Sequence, residues 1–108
     1  MVCIMKGIHD ELIKFQRERD WKKFHTPENL AKSISIEAAE LLEHFQWGKG
    51  YDVDEVGEEL ADILIYCIYM VDALDLDIKG IIRDKMVKNA AKYPVEKSRG
   101  NAKKYTEF

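Results

Sequence analysis

Cysteine is scarce in this chain: Cys3 and Cys67 are the only two among 108 residues. Their contexts differ and no metal-ligand spacing joins them, so a thiolate metal site is excluded. Cys67, inside the apolar run 63–71, reads as a reduced core residue. Long hydrophobic runs are missing as well. The most apolar stretch, 60–76, carries Asp62, Asp72 and Asp75, and the start Met1-Val2-Cys3-Ile4-Met5 gives way at once to Lys6, His9, Asp10 and Glu11. Neither a signal peptide nor a membrane span is expected, and a cytoplasmic location fits. There is no basic excess. The formal net charge is -3, whereas a general binder of nucleic-acid polymers presents a basic footprint. No strand pattern, internal linker or low-complexity segment is present.

What remains is helical periodicity, which predicts an all-α bundle of four helices in one domain, 1–108, with a basic tail over about 94–108. A first helix is expected over 6–19, with Met5, Ile8, Leu12 and Phe15 inward. A polar-aromatic connector, Asp20-Trp21-Lys22-Lys23-Phe24-His25, leads to Thr26-Pro27-Glu28, a helix start with Thr26 as cap and Pro27 at the first position. The second helix should run over 27–46, with Leu30, Ile34, Ala38, Leu41 and Phe45 on its core stripe. Gly48 and Gly50 end it. Asp52 or Asp54 should cap a third helix over 54–74, whose apolar side holds Val56, Leu60, Ile63, Leu64, Ile68 and Val71. That arc is wide enough to suggest more than one neighbour. After a cap at Asp77, a fourth helix is expected over 78–92, with Ile78, Ile81, Ile82 and Met86 inward, stopped by Pro94.

Within this frame the acidic residues are unusual. Glu37-Ala38-Ala39-Glu40 and Glu59-Leu60-Ala61-Asp62 each place two carboxylates one helical turn apart, on one face, among apolar residues. Like charges at that spacing repel, and no lysine follows within a turn of Glu37 or Glu40 to offset them. A solvated acidic face would account for one such pair. Two pairs, flanked by Leu41, Leu42 and Phe45 and by Ile63 and Leu64, interrupt faces that otherwise look buried. A short loop puts the second and third helices antiparallel, so the four carboxylates can face one another and hold Mg²⁺, which takes oxygen ligands and is commonly shared with substrate phosphates. Hydrolysis of a phosphoanhydride is the chemistry this suits. A di-iron centre would use Glu-x-x-His motifs on two helices, and the third helix has no histidine, so all-oxygen ligation favours Mg²⁺ or Mn²⁺. Lys85, Lys92, Arg99, Lys103 and Lys104 are available cations for developing phosphate charge.

Trp21 before the second helix and Trp47 just after it could frame a base-stacking slot, or each could pack a helix end. Tyr66, one turn past Asp62, could reach the same pocket, while Tyr69 is expected to pack. Lys85 and Asn89 share a face of the fourth helix. His9, His25 and His44 carry no ligand pattern and read as structural or surface residues.

Taken together, Glu37-x-x-Glu40 with Glu59-x-x-Asp62 resembles the metal motif of the all-α nucleotide pyrophosphohydrolases, the MazG-like superfamily. Arg19-Asp20-Trp21-x-x-Phe24-His25-x-Pro27-x-Asn29-Leu30, Phe45-Gln46-Trp47 and Glu58-Glu59-Leu60-Ala61-Asp62-Ile63-Leu64-Ile65-Tyr66 are similar to its dCTP pyrophosphatase branch. So are Lys85-Met86, Asn89, Tyr93-Pro94-Val95, Ser98-Arg99-Gly100 and Lys104-Tyr105-Thr106. The resemblance implies Mg²⁺-dependent cleavage of a (deoxy)nucleoside triphosphate to monophosphate and pyrophosphate, with water attacking the α-phosphorus. It assigns Glu37, Glu40, Glu59 and Asp62 to the metal, Trp21 and Trp47 to the base, Tyr66 to the nucleotide's side, and Lys85 and Asn89 to phosphate or sugar. It also implies a homo-oligomer, tetramer or dimer. Leu12 stands where dCTP-hydrolysing relatives carry a histidine near the base, and a lost polar readout relaxes base choice. A non-catalytic helical module that binds nucleotide or a protein is the competing class. An enzyme for phosphoribosyl-ATP is a further alternative.

Overall fold

Side-chain caps fix the starts of three of the helices. The structure, a computed structural model, describes residues 2–48 and 50–108, with side chains described from residue 7 on. The expectations placed on the Cys3 and Met5 side chains fall outside the described ones. The chain is all-α, with no strand among the described residues: α1 Val2–Glu18, α2 Pro27–Glu43, α3 Val53–Ala73, α4 Ile78–Lys92 and a short α5 Val95–Ser98. Among the described residues no helix is long and apolar enough to cross a membrane. The chain divides into two compact units, Met1–Asp75 and Leu76–Phe108.

In the first unit, Asp20 adopts a left-handed backbone, φ 53, just past the end of α1. The Asp20 N–H bonds back to the Arg17 carbonyl at 3.0 Å and the Trp21 N–H to the Gln16 carbonyl at 3.1 Å, which together satisfy the last carbonyls of the helix in a Schellman motif. That motif favours an apolar contact across the helix end, and Phe15 and Trp21 make it, edge to face with centroids 5.8 Å apart. Phe15 was expected inward. It instead lies at the surface beneath Trp21, and Ile8 is exposed too. The buried stripe of α1 runs through Ile13 and Gln16, beside half-buried Leu12.

The start of α2 is as the sequence reads: Thr26 Oγ1 accepts the Asn29 N–H at 3.2 Å, with Pro27 in the first turn. The helix ends at Glu43, earlier than expected. His44, Phe45 and Gln46 bond to the carbonyls of Leu41, Leu42 and Glu43, tightening the chain into turns before Gly48 takes φ 64. Asp52 caps α3, its Oδ1 accepting from the N–H groups of Asp54 and Glu55. Leu30, at the start of α2, shares a core with Tyr69, near the end of α3, while His44 Nδ1 lies 4.0 Å from Glu55 Oε2 at the opposite end of the pair. The two helices are therefore antiparallel, as the short loop requires.

The core of this unit is small: Ile13, Leu30 and Tyr69, with Leu12, Ile65, Tyr66 and Met70 packed around it. Ile68 is buried as well, but Leu60 and Leu64, expected on the apolar side of α3, remain 46% and 54% exposed. The α1–α2 pair covers one arc of α3 and leaves the other uncovered. Cys67 is a free, half-buried thiol.

In the second unit, Asp77 caps α4 through Oδ2, which accepts the Gly80 N–H at 3.2 Å. Ile81, Ile82 and Met86 were expected inward but are exposed, because so short a unit supplies no element large enough to cover them. The tail is more ordered than its composition suggests. After α5 the chain makes a 3₁₀ turn, Tyr105–Glu107, that brings Tyr105 and Phe108 edge-on to Tyr93, with centroids 6.0 and 5.9 Å away.

Candidate active site

The antiparallel pairing brings three of the four motif carboxylates together. Glu37 and Glu40, one turn apart on α2, and Glu59 on α3 each offer an oxygen within 4.8 Å of the others. Glu37 and Glu59 are half-buried and Glu40 is exposed. Asp62, one turn beyond Glu59, stands outside this trio on the exposed side, yet its charge still reaches Glu37. Among the described residues of the first unit no cation pairs with any of the four. His44 faces Glu55, not the cluster.

Crowded carboxylates compete for protons. A hydrogen bond to Glu37 is the main reason that Glu59 is pushed up to about 8, with burial and then the hydrogen bond and charges of Glu40 and Glu37 adding to it. For Glu37 the hydrogen bond from Glu59 acts downward, but burial and the neighbouring Glu40 and Asp62 outweigh it and hold the group above its ordinary value. The two carboxyl groups thus share a hydrogen bond that favours a proton on Glu59. The second Glu37 oxygen, Oε2, is buried and has no donor among the described residues. A cation would satisfy this oxygen and replace the shared proton.

Next to the acids stands an aromatic wall. Glu59, Asp62 and Tyr66 follow one another at one-turn spacing along α3 and so share a face. Tyr66 meets the edge of His25 with centroids 6.3 Å apart, and His25 in turn meets Trp21 at 6.2 Å. His25 also stacks on Tyr69, 4.9 Å away and 28° from parallel, and the Tyr69 hydroxyl donates to the Leu12 carbonyl at 3.2 Å. Gln16 Nε2 lies 2.7 Å from His25 Nδ1. The connector that carries His25 is pinned by Asn29, whose side-chain amide donates to the Phe24 carbonyl at 2.9 Å. Arg19 lies over the Phe15 ring, 3.5 Å from its centroid.

The remaining expected residues are more dispersed. Trp47 projects from the turn after α2, 79% exposed, with no aromatic neighbour among the described residues, while Phe45 pairs with Tyr51. Lys85 and Asn89 lie one turn apart on an exposed face of α4, in the second unit. Sequence gives neither His25 nor Gln16 a site role. His25 enters the family resemblance only as part of the connector motif and carries no ligand spacing, and its tertiary neighbours set it apart. Gln16 lies one turn after Leu12 on the inward face of α1, and a polar residue at such a position was the available clue.

Comparison with known proteins agrees with these features. The sequence model of the MazG-like family matches residues 32–108, a span that contains all four motif carboxylates. The dCTP pyrophosphatase 1 of Bos taurus is 38% identical over 114 aligned residues, which take in 96% of this chain and 66% of that protein. The dCTP pyrophosphatase 1 of Homo sapiens is 36% identical, with 96% and 65% covered. The chain thus spans just under two thirds of the length of the curated relatives it matches. A crystal structure of a pyrophosphatase from Archaeoglobus fulgidus superposes with a TM-score of 0.74 at 44% identity, covering 83% of this chain and 92% of that one. The family match, the identities to these relatives and the paired-carboxylate helices lead to one assignment: the chain belongs to the MazG-like family.

Proposed function

We propose that this chain is a divalent-metal-dependent nucleoside triphosphate pyrophosphohydrolase that cleaves (deoxy)nucleoside triphosphates to the monophosphate and pyrophosphate. The observation that carries the reading is the state of Glu37: half-buried, with Oε2 unpartnered and two further carboxylates within 4.8 Å. A buried carboxylate oxygen without a donor is costly, and a set of hard oxygen donors matches Mg²⁺, with Mn²⁺ as a substitute. Glu37, Glu40, Glu59 and Asp62 would hold the ion. When bound, it supplies positive charge against the triphosphate and makes a nearby water more acidic.

The chain's own side chains do the rest. Glu37 and Glu40 would take the proton from a water attacking the α-phosphorus. Trp21 stacks the base, Trp47 closes over it from the turn after α2, and Tyr66 lies beside the nucleotide. Lys85 and Asn89 contact phosphate or sugar. The naming of the relatives as dCTP pyrophosphatase 1 supports dCTP or a related pyrimidine deoxynucleotide as first candidate. The family match runs through both compact units, which supports a single MazG-like domain over 1–108. Exposed Leu60 and Leu64 on α3, and Ile82 and Met86 on α4, support a homo-oligomer, tetramer or dimer. The net charge supports a protein without a nucleic-acid polymer as partner, and the scarce cysteines and short apolar runs support a cytoplasmic one without a membrane partner.

Pyrophosphate release from a panel of ribo- and deoxyribonucleoside triphosphates, with Mg²⁺ and with EDTA, tests this. Metal-dependent release led by a pyrimidine deoxynucleotide is expected. A flat profile would keep the enzyme and discard dCTP, whereas no release from any triphosphate would return the chain to a non-catalytic binding module.

A further inference from the structure

Gln16 is 2% exposed, a neutral polar side chain buried one turn after Ile13 on α1. Its amide nitrogen lies 2.7 Å from His25 Nδ1, while its Oε1 is buried with no donor among the described residues. Turning the amide over would leave its two N–H groups unpaired in the same buried place, and an orphaned buried donor is tolerated less well than an orphaned acceptor. The amide therefore donates to His25 Nδ1.

An imidazole that accepts at Nδ1 carries its proton on Nε2. The ring is held against reorientation from its other sides. Tyr69 stacks on its face, Trp21 and Tyr66 meet it edge-on, and Asn29 fixes the connector. Burial lowers the pKa of His25, which favours the neutral ring. Nε2–H has no partner among the described residues, so it is a free donor in the same aromatic wall as Trp21 and Tyr66. Leu12, one turn before Gln16, offers that wall no polar group. Its side chain packs against the core and its carbonyl is taken by the Tyr69 hydroxyl.

We infer that Gln16 is a positioning residue for nucleotide recognition: by donating to His25 Nδ1 it locks His25 as the Nε2–H tautomer, which presents a fixed hydrogen-bond donor to an acceptor atom on the nucleotide stacked at Trp21. This inference rests on the nucleotide-binding reading proposed above. It gives the site a polar contact that comes from Gln16 and His25 together, at a place where residue 12 contributes only packing. A fixed tautomer rejects ligands that present a donor there, since a buried N–H facing another N–H is left unpaired.

Nitrogen-15 NMR of histidine-labelled full-length protein, free of metal and nucleotide, reads the tautomer directly. His25 should show Nδ1 unprotonated and Nε2 protonated in the wild type, and Gln16→Met should convert it to a mixture of tautomers. The same substitution should raise KM for the preferred triphosphate about tenfold, the worth of one ordinary hydrogen bond, with kcat nearly unchanged. A protonated Nδ1 in the wild type would overturn the inference, as would an unchanged KM in an active Gln16→Met enzyme. Should Gln16→Met not fold, the wild-type spectrum still decides. Failure of the pyrophosphohydrolase reading would look different: no turnover from any triphosphate, with the His25 tautomer intact.

Discussion

Leu30→Ala separates the core the structure has from the core that periodicity alone suggests. Leu30 is fully buried and packs with Ile13 of α1 and Tyr69 of α3, so it joins all three long helices of the first unit. Truncation removes three heavy atoms from a site with no solvent to fill the gap. For a fully enclosed leucine, transfer and cavity terms together cost about 3 kcal/mol. In a domain of this size that lowers Tm by roughly 10–25 °C. Leu64→Ala is the control. Leu64 is the same residue type on the uncovered arc of α3, 54% exposed, and its truncation should cost about 0.5 kcal/mol or less. Urea titrations followed by far-ultraviolet circular dichroism, compared at equal m, give both values. Equal costs for the two variants would refute the assignment of the core to Ile13, Leu30 and Tyr69. A loss in Leu64→Ala that varies with protein concentration would show that a second copy covers this face.

Other expectations follow from the acid cluster and the aromatic wall. Glu59 has its folded-state pKa raised from 4.5 to about 8, so its stabilising contribution is complete below pH 4.5 and is lost as pH rises through 8. Metal-free protein should therefore lose stability between about pH 5 and 9 in a thermal-melt series. Glu59→Gln, whose amide donates to Glu37 at every pH, should flatten that slope, and an unchanged slope would put the shared proton elsewhere. Mg²⁺ must displace the same proton, so its affinity, measured by calorimetry, should rise with pH over that window, and pH-independent binding would disconnect the ion from this pair. Glu37→Ala should cut pyrophosphate release by about a thousandfold or more while leaving the helical circular dichroism spectrum intact, and retained turnover would remove Glu37 from the chemistry. Trp21→Ala should raise KM for every base alike by about ten- to a hundredfold, because stacking does not read base edges. A change confined to one base would contradict a stacking role.

Much of the fold and of the candidate site was legible in order along the chain. The caps Thr26, Asp52 and Asp77 and the stop at Pro94 are local chemistry, and they fell where the residues indicated, Asp52 being chosen over Asp54. The second helix ends three residues before its periodicity predicts, since a helix that fades into turn bonds leaves no sequence mark until Gly48. The acid motifs could be read because one-turn spacing puts Glu37 with Glu40, and Glu59 with Asp62, in any helix. Which side of each helix is covered could not be read. Phe15 went to the Schellman cap of α1 while Gln16 went to the core, an exchange that hydrophobicity by itself argues against.

The sequence by itself determined the helices, their caps and the pairing of carboxylates within each helix, because these depend on neighbours within a few residues. The tertiary structure decided the rest. It drew Glu37, Glu40 and Glu59 into one cluster and left Asp62 at its margin. It set His25 between Trp21, Tyr66 and Tyr69 and gave its Nδ1 to Gln16. Those choices turn on the crossing of α1 and α2 over α3, where contacts between residues far apart in the chain fix which polar atoms meet and which are buried alone.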